Sequence, residues 1–206
     1  MNKITLAFLT AAFFSVTGFC GVDAKAETDN ILKKTISQGI EILKGKETSD
    51  AQKLKLFDGL LDQSCHTDLM SMLALGRQGW GVFKTEQRKE FTIAFVNLMT
   101  RTYYSKLNQA DVTNVKVEYK DNIEISKSKR TLKTLMSSSD NGFEVCYKFA
   151  LRKGRWAVYD MEVEGISLIA SYRSQFTDFL KSKSPAELLL EMKSNDEKFS
   201  AVKVVP

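Results

Sequence analysis

Histidine is almost missing from this chain: His66 stands alone among 206 residues. Its neighbours Cys65 and Asp68 do not complete a catalytic set, because adjacent side chains point apart on a helix or strand. A lone histidine near a helix start is expected to be a partly exposed structural residue. Also absent are Gly-x-Ser-x-Gly, the P-loop, Gly-x-Gly-x-x-Gly, Cys-x-x-Cys and His-Glu-x-x-His. Without a nucleophile–base pair, hydrolase chemistry has no carrier, and we expect no catalytic residue and no metal site. Proline occurs only as Pro185 and Pro206, and the glycines are scattered. That argues against a long linker and for one domain. Neither charge sign dominates: 30 basic against 25 acidic residues give +5, too weak and too interspersed for nucleic acid. A mild positive balance suits anionic membrane surfaces or acidic partner patches.

Long apolar runs are lacking too. The best candidate, residues 4–19, is 16 residues, short of the roughly 20 needed to span a bilayer. It fits a secretory signal instead. Lys3 forms the positive n-region, residues 4–14 the apolar h-region, and Ala24-Lys25-Ala26 a small-x-small cleavage site before Glu27. We therefore expect residues 1–26 to be a signal peptide and residues 27–206 a single exported domain with a tail from about Asn195. Cys20 has Phe19 before it, where a lipid-attachment box wants a small residue. Removing residues 1–26 takes away Lys3, Lys25 and Asp23, leaving 28 basic and 24 acidic residues, a net of +4. Cys65 and Cys146 remain. An even count in an oxidising compartment permits one disulfide. It would close a loop of about 80 residues, at roughly 4 kcal/mol on the chain-entropy account; two unpaired buried thiols are the alternative.

What is present is helical first. Thr28 or Asp29 can cap a helix with Ile31, Leu32, Ile36, Ile40 and Leu43 inward, ended by Gly45. Ser49 can cap a second, with Leu54, Phe57, Leu60 and Leu61 inward. Residues 68–75 read as a short third helix stopped by Gly76, and residues 77–84 as a loop around Trp80. Thr85 opens a long helix on whose face Phe91, Ala94, Phe95, Leu98, Met99, Thr102 and Leu107 recur at a 3.6 period. Strand character follows. Val115, Val117 and Tyr119 alternate with polar residues, Asp121-Asn122 reads as a turn, and Lys127-Ser128-Lys129-Arg130 as a basic loop. Leu132, Thr134 and Met136 alternate next. After a hairpin over residues 137–142, Phe143, Val145, Tyr147, Phe149 and Leu151 give the cleanest alternation.

The stretch from Trp156 to Phe176 organises the rest. Trp156, Val158, Met161 and Val163 belong to a strand that Gly165 stops. Ser167 can then cap a helix with Ile169, Tyr172, Phe176 and Phe179 on one face. Asp160, Glu162 and Glu164 look like a wet strand face paired with Lys148 and Arg152, with Arg173 a further partner for Asp160 or Glu164. Ser184-Pro185 caps a last helix carrying Leu188, Leu189 and Met192. Helices, then a meander of about four antiparallel strands, then helices make an α+β layer fold.

Trp156-Ala-Val-Tyr-Asp-Met-Glu-Val-Glu-Gly-Ile-Ser-Leu-Ile followed by Tyr172-Arg-Ser-Gln-Phe176 closely resembles the signature of the MlaC / toluene-tolerance family of periplasmic phospholipid carriers. Leu75-Gly76-Arg77, Trp80, Glu86-Gln87-Arg88, Phe91, Phe95 and Thr102-Tyr103 resemble a second block. The resemblance implies a curved antiparallel sheet wrapped by helices, distantly like nuclear-transport-factor and cystatin layers, enclosing an apolar pocket. It implies phospholipid as cargo rather than a cofactor. It also implies two docking partners: an outer-membrane lipoprotein–porin complex and an inner-membrane ABC transporter with a substrate-binding ring. On that footing the inward residues become candidate lipid contacts: Leu69, Met72, Phe91, Phe95, Leu98 and Met99 from helices, Leu132, Met136, Val145, Tyr147, Phe149, Met161 and Val163 from strands, and Ile169, Tyr172 and Phe176 from the helix after Ser167. Met and Phe repack cheaply around tails of variable length. Lys127, Lys129, Arg130, Arg152 and Arg173 are the candidates for head-group or partner contact. A monomer is expected. A carrier of another apolar lipid, such as a hopanoid, and a filled envelope protein that only docks are the competing expectations.

Overall fold

The computed structural model describes residues 23–109, 114–138, 141–194 and 199. Residues 1–22 of the expected signal segment 1–26, and the expected tail from Asn195 apart from Phe199, lie outside the described residues. Four helices come first: α1 (Ala24–Lys44), α2 (Asp50–Ser64), α3 (Thr67–Val82) and α4 (Thr85–Gln109). Strands β1 (Lys116–Ser126), β2 (Lys129–Ser138), β3 (Asn141–Arg152), β4 (Arg155–Val163) and the two-residue β5 (Ile166–Ser167) follow, then α5 (Leu168–Leu180) and α6 (Pro185–Lys193). The strands form one open, curved antiparallel meander in the order β1-β2-β3-β4-β5. The α+β architecture is the one expected from the sequence, with one short strand more.

Local chemistry explains the boundaries. Ser49 and Gln52 make a reciprocal capping box at α2, as do Ser184 and Glu187 at α6. α1 starts earlier than expected: Asp23 caps it, and Thr28 is not a cap but a fully buried residue facing inward. Residues 77–82 are helical rather than a loop. The chain breaks only at Gly76, where φ is 65° and ψ 174°, a conformation open essentially to glycine alone. At the two ends of β4, Lys153-Gly154 and Glu164-Gly165 have paired positive φ values, the geometry of tight hairpin turns that match strand twist.

Two bulges correct the strand reading. Asp121-Asn122 is not a turn between strands but an irregularity inside one continuous β1, between Tyr119 and Asn122. In β4 the register shifts opposite Lys148 and Phe149. That shift explains why Trp156 and Val158 share a face with Met161 and Val163 despite their opposite parity: a bulge adds one residue and restores the inward side.

The core lies between this sheet face and the helices. Phe91 and Phe95 of α4, Ile169, Tyr172 and Phe176 of α5, and Leu132, Val145, Phe149 and Val163 of the sheet are all buried in one cluster. Phe199, in the stretch expected to fray, is also buried there, its ring centroid 5.1 Å from that of Phe176.

Candidate lipid-binding interior

α5 is aimed by Asp160. This carboxylate is buried and accepts from the Ser167 hydroxyl at 2.8 Å and from the Ile169 amide at 3.2 Å. It therefore caps the helix from the neighbouring strand, where a carboxylate also suits the dipole. Lys148 bonds both Asp160 and Glu162, as the strand pattern implied. Arg152 does not join them; it reaches Asp68 at 3.3 Å. Nor does Arg173 meet Asp160 or Glu164: its Nε donates to the Leu73 carbonyl of α3 at 2.6 Å.

The aromatic residues expected as lipid contacts meet one another. Phe95 sits edge-on to Tyr172 at 5.2 Å and to Phe176 at 5.8 Å, and stacks with Phe91 at 5.7 Å. Each such pair adds about 0.5–1.5 kcal/mol beyond area burial. Leu98, Met99, Leu132, Val145, Tyr147, Phe149, Val163 and Ile169 belong to the same cluster, and Met136 and Met161 lie half-buried against it. Leu69 and Met72 do not face it. They are half-buried on α3 outside the cluster, where Met70, Leu73 and Ala74 are packed instead. The predicted stripe on that helix was displaced by one residue.

Within this interior two polar atoms are stranded. The hydroxyls of Tyr103, on α4, and Tyr172, on α5, are buried and make no well-formed hydrogen bond among the described residues. Burial raises the pKa of both phenols, that of Tyr172 to about 12; the two phenols neighbour each other, and Thr102 lies beside Tyr172. Leaving such a hydroxyl unpaired costs about 1–3 kcal/mol, and native interiors hold few of them. Tyr103 was missing from the expected lipid contacts, and the face of this helix was read through Thr102 at that turn. The ladder Phe95, Met99, Tyr103, at spacings of four, contained the signal.

The cationic candidates separate. Lys127 is exposed in the β1–β2 turn, and Lys129 lies over the Tyr159 ring at 5.9 Å. Arg130 is a correction: it is buried, bonds Glu124 at 3.0 Å and Asn122 Oδ1 at 2.7 Å, and is a strut rather than a surface cation. Asn122 in turn donates to the Lys25 carbonyl, the Thr28 hydroxyl and Asp29 of α1. The β1 bulge aims this amide inward, which sequence alone read as a turn. Beside it lies a cavity of about 190 Å³ lined by Leu32, Lys33, Tyr119, Leu132 and Lys133 among others. It is smaller than the roughly 300–1,000 Å³ of ordinary ligand sites and lies between α1 and the β1–β2 ribbon.

His66 is buried, not partly exposed. Its Nε2 lies 3.1 Å from the Ala150 carbonyl and 3.2 Å from that of Arg155, so this nitrogen carries the proton and ties α3 to the β3–β4 hairpin. The expected disulfide is absent. Cys65 and Cys146 are free thiols. Cys65 is bridged to Val158 in the core cluster, whereas Cys146 alternates with inward-facing Val145 and Tyr147, and so lies on the opposite face between Lys133 and Glu162.

The sequence profile of the MlaC protein family matches residues 33–194. The chain belongs to the MlaC family. Among solved structures, this MlaC-family chain is similar to a phospholipid-binding protein from Ralstonia solanacearum determined in complex with a phospholipid. The TM-score is 0.69 at 22% sequence identity, over 81% of this chain and 94% of that one. The likeness extends the family assignment to the fold. No curated protein sequence matches. Among the described residues of this family member, no helix is long and apolar enough to cross a membrane.

Proposed function

We propose that the protein is an exported phospholipid carrier of the periplasm. It takes one diacyl lipid between sheet and helices, and passes it between an outer-membrane lipoprotein–porin complex and an inner-membrane ABC transporter with a substrate-binding ring. Its task is to maintain outer-membrane lipid asymmetry, without catalysis. The observation that carries the reading is the family match over residues 33–194. The phospholipid held by the Ralstonia protein on a similar fold supports it. The interior is also chemically apt: its rings and thioethers offer tails a dry surface, at about 0.8 kcal/mol per methylene removed from water. Those rings are mutually packed, so on this proposal a lipid enters by parting α4 and α5 from the sheet.

Native mass spectrometry of the protein purified without detergent tests the proposal. One bound diacyl phospholipid, removable by organic solvent, is the expected result. A polycyclic lipid without phosphate would transfer the carrier role to hopanoids. A bare protein that excludes added lipid would leave docking as its role.

A further inference from the structure

We infer that Tyr103 and Tyr172 form a recognition point for the ester carbonyls of a diacyl lipid. The inference rests on the carrier proposal and adds the chemical class of the linkage selected. Tyr172 is fully buried, wedged between Phe95 and Phe176. Tyr103 packs against the same cluster. Among the described residues neither hydroxyl makes a well-formed hydrogen bond, although the two neighbour each other and Thr102 lies beside Tyr172; each carries one donor.

The surroundings decide which ligand group suits them. Phe95 and Phe176 flank the Tyr172 ring, and Tyr103 packs against the same apolar cluster. A phosphate set among these rings would lose its hydration. A neutral acceptor embedded in an apolar molecule meets both conditions. The two ester carbonyls of a diacylglycerol lipid are such acceptors. They stand where hydrocarbon tails meet the polar head, and two donors on two adjacent helices match two acceptors in one molecule. Binding at this point would set the depth of the lipid: tails among Phe91, Phe95 and Phe176, head group outward. Ether-linked lipid keeps the tails but lacks the carbonyls, so it would leave the hydroxyls stranded.

The test is a competition. The protein is stripped with organic solvent and offered equal amounts of phosphatidylethanolamine with ester-linked chains and its dialkyl ether analogue of the same chain lengths. The bound ratio is read by native mass spectrometry. The wild type should favour the ester by about tenfold, equivalent to about 1.4 kcal/mol. In Tyr103→Phe with Tyr172→Phe the ratio should fall to near one. The stripped double variant should be at least as stable to urea as the wild type, because it removes unpaired groups. Equal uptake of both lipids by the wild type overturns the inference and leaves the carrier proposal standing. So does an ester preference that survives in the double variant, or a loss of stability with the preference intact, as an ordered water between the hydroxyls would produce. Failure to bind either lipid overturns the carrier proposal and this inference with it.

Discussion

Arg173 of α5 closes the broken end of α3: its Nε donates to the carbonyl of Leu73 at 2.6 Å. Leu73 stands three residues before the break at Gly76, where helix carbonyls lose their amide partners. A cation at that end also suits the helix dipole. A Cβ on Gly76 would lie 3.3 Å from the Cδ of Arg173, so the glycine provides both the backbone turn and the space for the arginine stem. The residue expected to touch a head group or partner is thus an inter-helix fastener.

Replacing Gly76 by Ala should cost about 1–3 kcal/mol, because its φ and ψ are close to forbidden for other residues. Arg173→Ala should cost less, about 0.5–1.5 kcal/mol, for an exposed hydrogen bond. The double substitution should cost less than the sum, since the arginine no longer crowds the new methyl. Urea unfolding of the three variants measures this; strict additivity would mean that the two residues are independent.

The α6 cap should make stability sensitive to acid. The Ser184 backbone amide, then Lys183, hold the Glu187 carboxyl at about 2 against an ordinary 4.5. A carboxylate with a depressed folded pKa contributes stability that is present above 4.5 and is lost as pH falls towards 2. Glu187→Gln keeps an acceptor for Ser184 but has no charge to lose. The stability difference between wild type and Glu187→Gln should therefore shrink between pH 5 and pH 2. Parallel unfolding curves across that window would show that the carboxylate charge contributes nothing.

Neither thiol should be available. Burial pushes Cys65 up to about 12 and raises Cys146 as well, so both remain protonated and poorly nucleophilic at neutral pH. Maleimide at pH 7 should label neither residue in the folded protein and both after unfolding in denaturant, as peptide mapping would show. The mass of the Cys65 and Cys146 peptides should be indifferent to reductant. A linked peptide pair would restore the disulfide.

The α+β layering, the strand alternation, the Gly165–Ser167 hand-over into α5 and the Ser49 and Ser184 caps were legible in the sequence, because each depends on neighbours within a few residues. So were most aromatic positions of the interior, since Phe91, Phe95, Tyr172 and Phe176 recur at helical spacing. What failed was whatever depended on a distant partner. Arg130 reads as part of a basic loop until the β1 bulge turns Asn122 towards it. Asp160 reads as a wet strand residue until α5 begins beside it. Cys65 and Cys146 are an even pair in sequence and lie on opposite faces of one sheet. Tyr103 and Tyr172 are 69 positions apart, and no local pattern shows that their hydroxyls are buried together without a well-formed hydrogen bond among the described residues. Periodicity specifies which side of an element is apolar; only packing of one element on another decides which polar atoms are satisfied and which are left for a ligand.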